Sequence, residues 1–348
     1  MLLWIDPLNH LLARLEMRAL LAFCTSFTIA FVLAVPVIRW LRQNEFGEQT
    51  EKTPIEDEQL RNQIAAKSGT PTMGGIIIAI ATLLTCLVWG NFGSLSFWLL
   101  IGVYLALGSM GFIDDWMKMQ ATAHRERGLK VRHKLILQGF IGAVAGYIWY
   151  RFGNPNIASS LPWPTFGWLI GAGGAILAAI WVALAVATMS NAVNVTDGLD
   201  GLAGGLALAA FLPFILLACQ TVSPADSGAE AIIFCGALAG GVAGFLCFNW
   251  HPAKVFMGDT GSLAIGGSFG LAAVLLHAEI LLPLFAFLFL VEFSSSVLQV
   301  LWFKATGRRI LPIAPLHHIF QKKGWPEKRI VLRFCFVGGL LAAVPILL

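Results

Sequence analysis

The chain has 348 residues, 57% of them hydrophobic and only 12% charged, with a formal net charge of +4. Soluble domains carry roughly 25% charged residues, and disorder needs low hydrophobicity with high net charge. A soluble two-domain protein and a disordered chain are therefore both excluded. The mean hydropathy of +0.78 instead fits an all-α, polytopic integral membrane protein, in which each helical span takes about 20 residues.

The N-terminal segment carries Arg14 and Arg18 ahead of the first apolar run, near 20–38. It is long and lacks a small-residue cleavage site, so it reads as no cleavable signal peptide. The next connection ends in Lys67-Ser68-Gly69-Thr70-Pro71-Thr72-Met73-Gly74-Gly75, where the chain enters the second run, 74–89. Its glycines permit close backbone approach, and Lys and Thr bind phosphate. A plain basic-flanked loop is the alternative.

The third run, 95–112, ends in Asp114-Asp115-Trp116-Met117-Lys118. Adjacent carboxylates at a membrane surface are costly unless a cation compensates. Carboxylates suit Mg2+, and Lys118, at i+4 from Asp114, shares its helix face. A solvated helix end is the alternative. A basic loop with His124, Arg132, His133 and Lys134 leads to the fourth run, 135–150. Arg132 and Lys134 end that loop where an anionic lipid head would lie; topogenic charge is the plain reading.

The fifth run, 168–188, passes into Ser190-Asn191-Ala192-Val193-Asn194-Val195-Thr196-Asp197-Gly198-Leu199-Asp200-Gly201, a connection with no basic residue. Asn191, Asn194, Asp197 and Asp200 are three apart. Each step of three falls about 60° short of a turn, so the four drift by about 180° and no straight helix aims them at one point. Gly198 and Gly201 suggest that the helix breaks there. The stretch reads as a helix end that presents polar groups to a ligand, or as a purely structural cap.

The sixth and seventh runs are 202–218 and 231–248, the latter with Gly240, Gly241 and Gly244 suited to close helix packing. Asn249-Trp250-His251-Pro252-Ala253-Lys254-Val255-Phe256-Met257-Gly258-Asp259-Thr260-Gly261-Ser262 follows. Ser262 is placed to cap the eighth run, 263–276, whose N-terminal amides favour an anion. An acid at an anion site points to a bridging metal; a capped turn is the plain reading. The eighth run is short and glycine-rich, so it is expected to be shielded by its neighbours. The ninth, 280–303, contains Glu292 and Gln299, seven apart and near one face. An intramembrane carboxylate has a functional or interhelical role. Leu311-Pro312-Ile313-Ala314-Pro315-Leu316-His317-His318-Ile319-Phe320 then precedes the tenth run, 330–348. Adjacent His residues donate to phosphate, bind metal or shuttle protons, although two neighbours with no third ligand are a weak zinc signal; a structural pair is the alternative.

The connections after the odd-numbered runs carry 5, 6, 0, 1 and 7 Lys or Arg, 19 of the 23 in the chain. Basic residues stay cytoplasmic, so these connections are expected inside and both termini outside. The six cysteines lie in or beside apolar runs with no CxxC pair, and read as buried apolar groups. No internal repeat, P-loop or dinucleotide fingerprint is present, and no nucleic-acid partner is expected. Carboxylates, amides, His and Lys thus gather on one membrane face, which suits phosphoryl transfer between a soluble phosphate-bearing donor and a lipid acceptor. A transporter would instead hold its polar groups near the bilayer midplane.

At KSGTPTMGG, DDWMK, SNAVNVTDGLDGLAGG, NWHPAKVFMGDTGSLAIGG and APLHHIFQKKGWPE the sequence resembles the polyprenyl-phosphate N-acetylhexosamine-1-phosphate transferases, and within them the phospho-N-acetylmuramoyl-pentapeptide transferases. The resemblance covers Lys67 to Glu327, about three quarters of the chain. It implies one transmembrane transferase domain over 1–348, about ten helices, a cytoplasmic-face active site in the bacterial inner membrane and a homodimer. It implies transfer of phospho-MurNAc-pentapeptide from UDP-MurNAc-pentapeptide to undecaprenyl phosphate, giving lipid I and UMP, with Mg2+. A sister enzyme that uses UDP-GlcNAc shares the aspartates and is the rival reading. Carried over by motif, Asp114, Asp115 and Asp259 are catalytic, with Asp259 the Mg2+ ligand and Asp114 a base or orienter of the lipid phosphate. Lys67, Thr72, Lys118, Asn191, Asn194, Asp197, Asp200, Asn249, Phe256, Gln299, His317 and His318 line the nucleotide-sugar site. The family usually has three consecutive His in the last block followed by a Glu; here Ile319 and Gln321 stand in those places.

Overall fold

A computed structural model describes residues 14–44, 67, 69–120, 128–153, 172–224, 226 and 228–347. Ser68, His124 and the first residues of the expected fifth span, 168–171, lie outside them. The regular structure of the described residues is helical: α1 Leu15–Gln43, α2 Gly75–Trp89, α3 Leu95–Met119, α4 Val131–Phe152, α5 Ala172–Thr196 and α6 Leu202–Thr221. Then come α7 Ala229–Asn249, α8 Gly258–Leu275, α9 Leu282–Phe285, α10 Phe287–Thr306, α11 His317–Lys322 and α12 Glu327–Leu347. Eight of these are long and apolar enough to cross a membrane. The apolar 15-residue α2 and the 18-residue α8 bring the set to the expected ten.

Several helices outrun their apolar runs, three of them at the polar motifs. α3 continues through Asp114, Asp115 and Lys118, α5 through Asn191 and Asn194, and α8 begins at Gly258, five residues before its apolar run. Hydropathy marks where lipid ends, whereas the helix continues as long as its polar side chains find partners. The ninth span is not continuous: Ala286 separates α9 from α10. Pro283 occupies the first turn of α9, where its missing N–H is tolerated, so the helical part of the ninth run begins at Leu282.

α8 is buried from Asp259 to Leu275 and packs against α2, α3, α5 and α7. The shielding expected of this short helix is what the bundle provides. The α7 glycines also act as expected. Cβ atoms on Gly236 and Gly244 would stand 2.6 and 2.7 Å from the carbonyl oxygens of Ala19 and Phe27 on α1, and one on Gly240 would overlap that of Phe23. Small residues every four positions let the two backbones touch. At the far end of the bundle Arg18 bonds Glu230 at 2.9 Å and the Trp89 carbonyl at 2.8 Å. That clasp joins the start of α1, the end of α2 and the start of α7, opposite the end that carries the polar motifs.

Candidate active site

Asp114, Asp115 and Asp259 converge from α3 and α8, their nearest carboxylate oxygens within 4.8 Å of one another. Backbone contact brings them there. A Cβ on Gly111 would overlap the backbone of Asp259 and Thr260, and one on Gly75 that of Gly261, so α2, α3 and α8 meet without side chains between them. Gly258, at φ +73°, turns the chain into α8 beneath Asp115 and Thr72, whose Oδ2 and Oγ1 would stand 2.6 and 3.1 Å from a Cβ there.

The three carboxylates are not equivalent. Asp115 spans the N-terminus of α8: Oδ1 accepts the Asp259 N–H at 3.1 Å, and Oδ2 accepts the Thr260 N–H at 2.9 Å and its hydroxyl at 2.7 Å. The anion expected at this helix end is therefore Asp115 itself. Ser262 is not its cap; it lies inside α8 and donates to the Gly258 carbonyl at 2.9 Å. Asp114 Oδ1 accepts the Leu129 N–H at 2.6 Å, and Asp259 Oδ1 accepts from Asn194 Nδ2 at 2.9 Å. The Oδ2 atoms of Asp114 and Asp259 face two ammonium groups. Lys118 Nζ lies 2.7 and 3.1 Å from them, and Lys134 Nζ 2.7 and 2.5 Å. Two lysines against three carboxylates leave a net charge near −1, which suits a cation.

A second polar cluster lies where α5 ends. Gly201, at φ +79°, reverses the chain, and Asp200 turns inward. Its Oδ1 accepts from Lys67 Nζ at 2.6 Å, while Oδ2 meets His251 Nδ1 and the Ala253 N–H, both at 3.0 Å. Glu327, at the start of α12, also holds Lys67 at 2.6 Å and accepts the Asp200 N–H at 2.5 Å. Burial alone would raise the Asp200 carboxyl; Lys67, the Ala253 N–H and His251 overcome it and hold the group below the usual carboxylate range. Lys67 Nζ also lies 5.9 Å from the Phe256 ring centroid.

The His pair forms a third element. Glu292, buried within α10, accepts the His317 N–H at 3.0 Å, and its Oε2 lies 3.2 Å from His317 Nδ1. His317 Nε2 abuts Gly198, where an added Cβ would stand 2.5 Å away. The His318 ring is 4.2 Å from that of His317, and its Nδ1 lies 2.6 Å from Gln321 Oε1. The Gln that departs from the family pattern thus fixes the adjacent His. Burial, aided by His317, pushes the His318 imidazole from 6.5 down to about 4. Between those values the unfolded chain binds more protons than the folded one, so stability rises with pH across this window and is lost as pH falls from 6.5 towards 4. Melting temperature in detergent is expected to drop over that acid range, and His318→Gln to flatten the profile. An unchanged slope in the variant would assign the acid sensitivity to other groups.

The motif residues separate by what they touch. Lys118 and Asn194 join the acidic centre, with Thr72 at its edge, and Lys67, Asp200 and Phe256 form the second cluster. Asn191 is turned aside, as the angular drift requires: it bonds Gln138 at 2.5 Å and the Ala187 carbonyl at 2.8 Å. Asp197 sits half-buried in the turn after α5, its N–H on the Asn194 carbonyl at 3.2 Å. Asn249 accepts the Gly201 N–H at 3.0 Å and donates to the Val255 carbonyl at 2.9 Å. Gln299 donates to the Leu311 carbonyl at 3.1 Å and accepts that residue's N–H at 2.9 Å. Both are turned to loop backbone, which they brace. Lys134, topogenic by its place in the sequence, turns its side chain inward to the carboxylates. His251 and Glu327, to which the sequence assigns no role, are Asp200 partners. Their only signal in sequence was a charged or ionisable residue beside an apolar run.

The sequence model of glycosyl transferase family 4 matches residues 97–277, and signature 1 of the phospho-N-acetylmuramoyl-pentapeptide-transferases matches residues 67–78. The chain is similar to a phospho-N-acetylmuramoyl-pentapeptide-transferase of Thermodesulfovibrio yellowstonii, 39% identical over 95% of this chain and 92% of that one. A protein of the same name from Granulibacter bethesdensis is 38% identical over 96% and 93%. Another, from Caulobacter vibrioides, is 35% identical over 97% and 94%.

Proposed function

The chain belongs to the phospho-N-acetylmuramoyl-pentapeptide-transferase family, and we propose on that premise that it transfers phospho-MurNAc-pentapeptide from UDP-MurNAc-pentapeptide to undecaprenyl phosphate, releasing UMP and forming lipid I. The observation that carries the reading is the convergence of Asp114, Asp115 and Asp259 with two lysines at one end of an apolar bundle. In the reaction an oxygen of the lipid phosphate bonds to the β-phosphorus of the donor. The bond from that phosphorus to the bridging oxygen breaks, and UMP leaves with the electron pair.

The residues fit a divalent cation, because a hard ion takes carboxylate oxygens and three converge here. Asp259 would hold it, with Asp114 beside it. When bound, Mg2+ neutralises charge on the donor pyrophosphate and on the leaving UMP. Lys118 and Lys134 supply further positive charge for the phosphate oxygens. Asp114 acts as an orienter of those lysines, both of whose ammonium groups lie 2.7 Å from its Oδ2. Asp115 positions Asp259 by holding the N-terminus of α8. Lys67, Asp200 and Phe256, with the His317–His318 loop, line the side on which the nucleotide sugar is read.

Basic connections on the site's end of the bundle support a cytoplasmic site, outward termini and an inner-membrane location. The domain is taken as 1–348, working as a homodimer. The test offers the purified protein in detergent both UDP-MurNAc-pentapeptide and UDP-GlcNAc, with undecaprenyl phosphate, and separates the lipid products by thin-layer chromatography with Mg2+ or with EDTA. Lipid I is expected only from the muramoyl donor and only with the metal. Exclusive transfer from UDP-GlcNAc overturns the donor assignment, and undiminished transfer in EDTA overturns the metal.

A further inference from the structure

We propose that Lys134 is an internal competitor for the divalent cation: its ammonium holds the metal position together before the ion arrives and is displaced from it towards the donor's phosphates afterwards. The inference rests on the metal-assisted reading of the site and adds a residue to it.

The argument is one of elimination over six carboxylate oxygens. Asp115 Oδ1 and Oδ2 are taken by the amides at the start of α8 and by the Thr260 hydroxyl. Asp114 Oδ1 takes the Leu129 N–H and is walled by Gly128, where a Cβ would stand 2.7 Å from it. Asp259 Oδ1 takes the Asn194 amide. All four accept from uncharged donors fixed to helices or loop backbone, and freeing any of them costs a buried hydrogen bond. The remaining two, Asp114 Oδ2 and Asp259 Oδ2, are held by ammonium groups alone. These two would be the readiest to hold a cation, since no fixed hydrogen bond need be disturbed, and Lys134 Nζ stands between them at 2.7 and 2.5 Å.

Lys134 and Lys118 differ in how they hold the place. The Lys118 side chain is 43% exposed and lies 2.7, 3.1 and 3.8 Å from Asp114, Asp259 and Asp115, whereas the Lys134 side chain is 15% exposed, lies 2.7 and 2.5 Å from Asp114 and Asp259 and rises from the first turn of α4. Without a cation between them, two Oδ2 atoms this close would repel across a medium of low dielectric. Lys134 removes that repulsion, so α3 and α8 keep their approach. The same ammonium opposes an incoming dication, and its flexible four-carbon stem lets it withdraw while staying within reach of phosphate oxygens. The charge of the centre then rises in step with the arrival of its polyanionic substrates.

The test reads metal binding and not turnover. Mn2+ is titrated into the detergent-solubilised full chain without nucleotide or lipid, and free Mn2+ is followed by electron paramagnetic resonance. Lys134→Met and Lys134→Gln are expected to bind Mn2+ about tenfold more tightly than the unaltered protein, because removal of a competing charge a few ångströms away is worth at least that at a partly screened site. Lys134→Arg, which keeps the charge, is expected to gain nothing. Equal or weaker Mn2+ binding by both neutral variants overturns the inference alone and leaves the proposed reaction standing. No binding by any of the proteins, altered or not, overturns the metal centre and the inference together.

Discussion

Replacement of Asp259 or Asp114 by Ala is expected to lower turnover by about a thousandfold or more, since each removes a group on which charge stabilisation in the transition state depends. The two side chains bring α8 and α3 to one point, and their Oδ2 atoms share both lysines. Loss of Asp259 leaves Lys118 and Lys134 with Asp114 as the nearer anchor and releases Asn194 from its 2.9 Å bond. Loss of Asp114 frees the Leu129 N–H and leaves both ammonium groups with Asp259 as their nearer anchor. The measurement is UMP release from a fluorescent UDP-MurNAc-pentapeptide at saturating lipid. A fall in kcat with little change in KM marks groups that act in the transition state; a rise in KM alone marks uniform binding. Near-normal turnover of either variant would remove that residue from its assigned role.

Gly111→Ala is expected to cost about a hundredfold in turnover, although it alters no polar group. The added methyl would fall on the backbone of Asp259 and Thr260, which cannot rotate aside as a side chain would, so α3 and α8 must separate. Gly111 lies one helical turn before Asp114 and Asp115, and the separation acts where the carboxylates meet. A displacement of about 1 Å at reacting groups costs on the order of a hundredfold, and overpacking of this kind also costs about 1–3 kcal/mol of stability. The control is Gly108→Ala on the same helix. Its methyl would meet the Ala264 Cβ at 3.7 Å and the Thr260 carbonyl at 3.8 Å, which is ordinary contact, so its turnover and melting temperature should stay near those of the unaltered protein. Equal behaviour of the two variants would show that backbone contact between α3 and α8 does not set the carboxylate geometry.

Much of this molecule is readable in one dimension because lipid makes the rules local. An apolar run of sufficient length must be helical to satisfy its own backbone, and basic residues flanking such runs record sidedness. The ten runs, the shielding of 263–276 and the glycine face of α7 follow from neighbours in sequence. So does the divergence of Asn191 and Asn194, which the 3.6-residue period sends to Gln138 and Asp259.

Partner choice is another matter. The chain alone determined that carboxylates, amides and lysines stand at helix ends, because composition and periodicity report burial and face. Only the tertiary structure decided that Asp115 caps α8 from 144 residues away, that Lys134 faces carboxylates instead of lipid heads, that Glu327 joins Asp200, and that Ser262 lies within a helix it was placed to cap. Hydropathy has a range of one turn or one span, whereas a hydrogen bond is decided by distances across helices far apart in the chain. Those distances are set by where glycines let backbones touch.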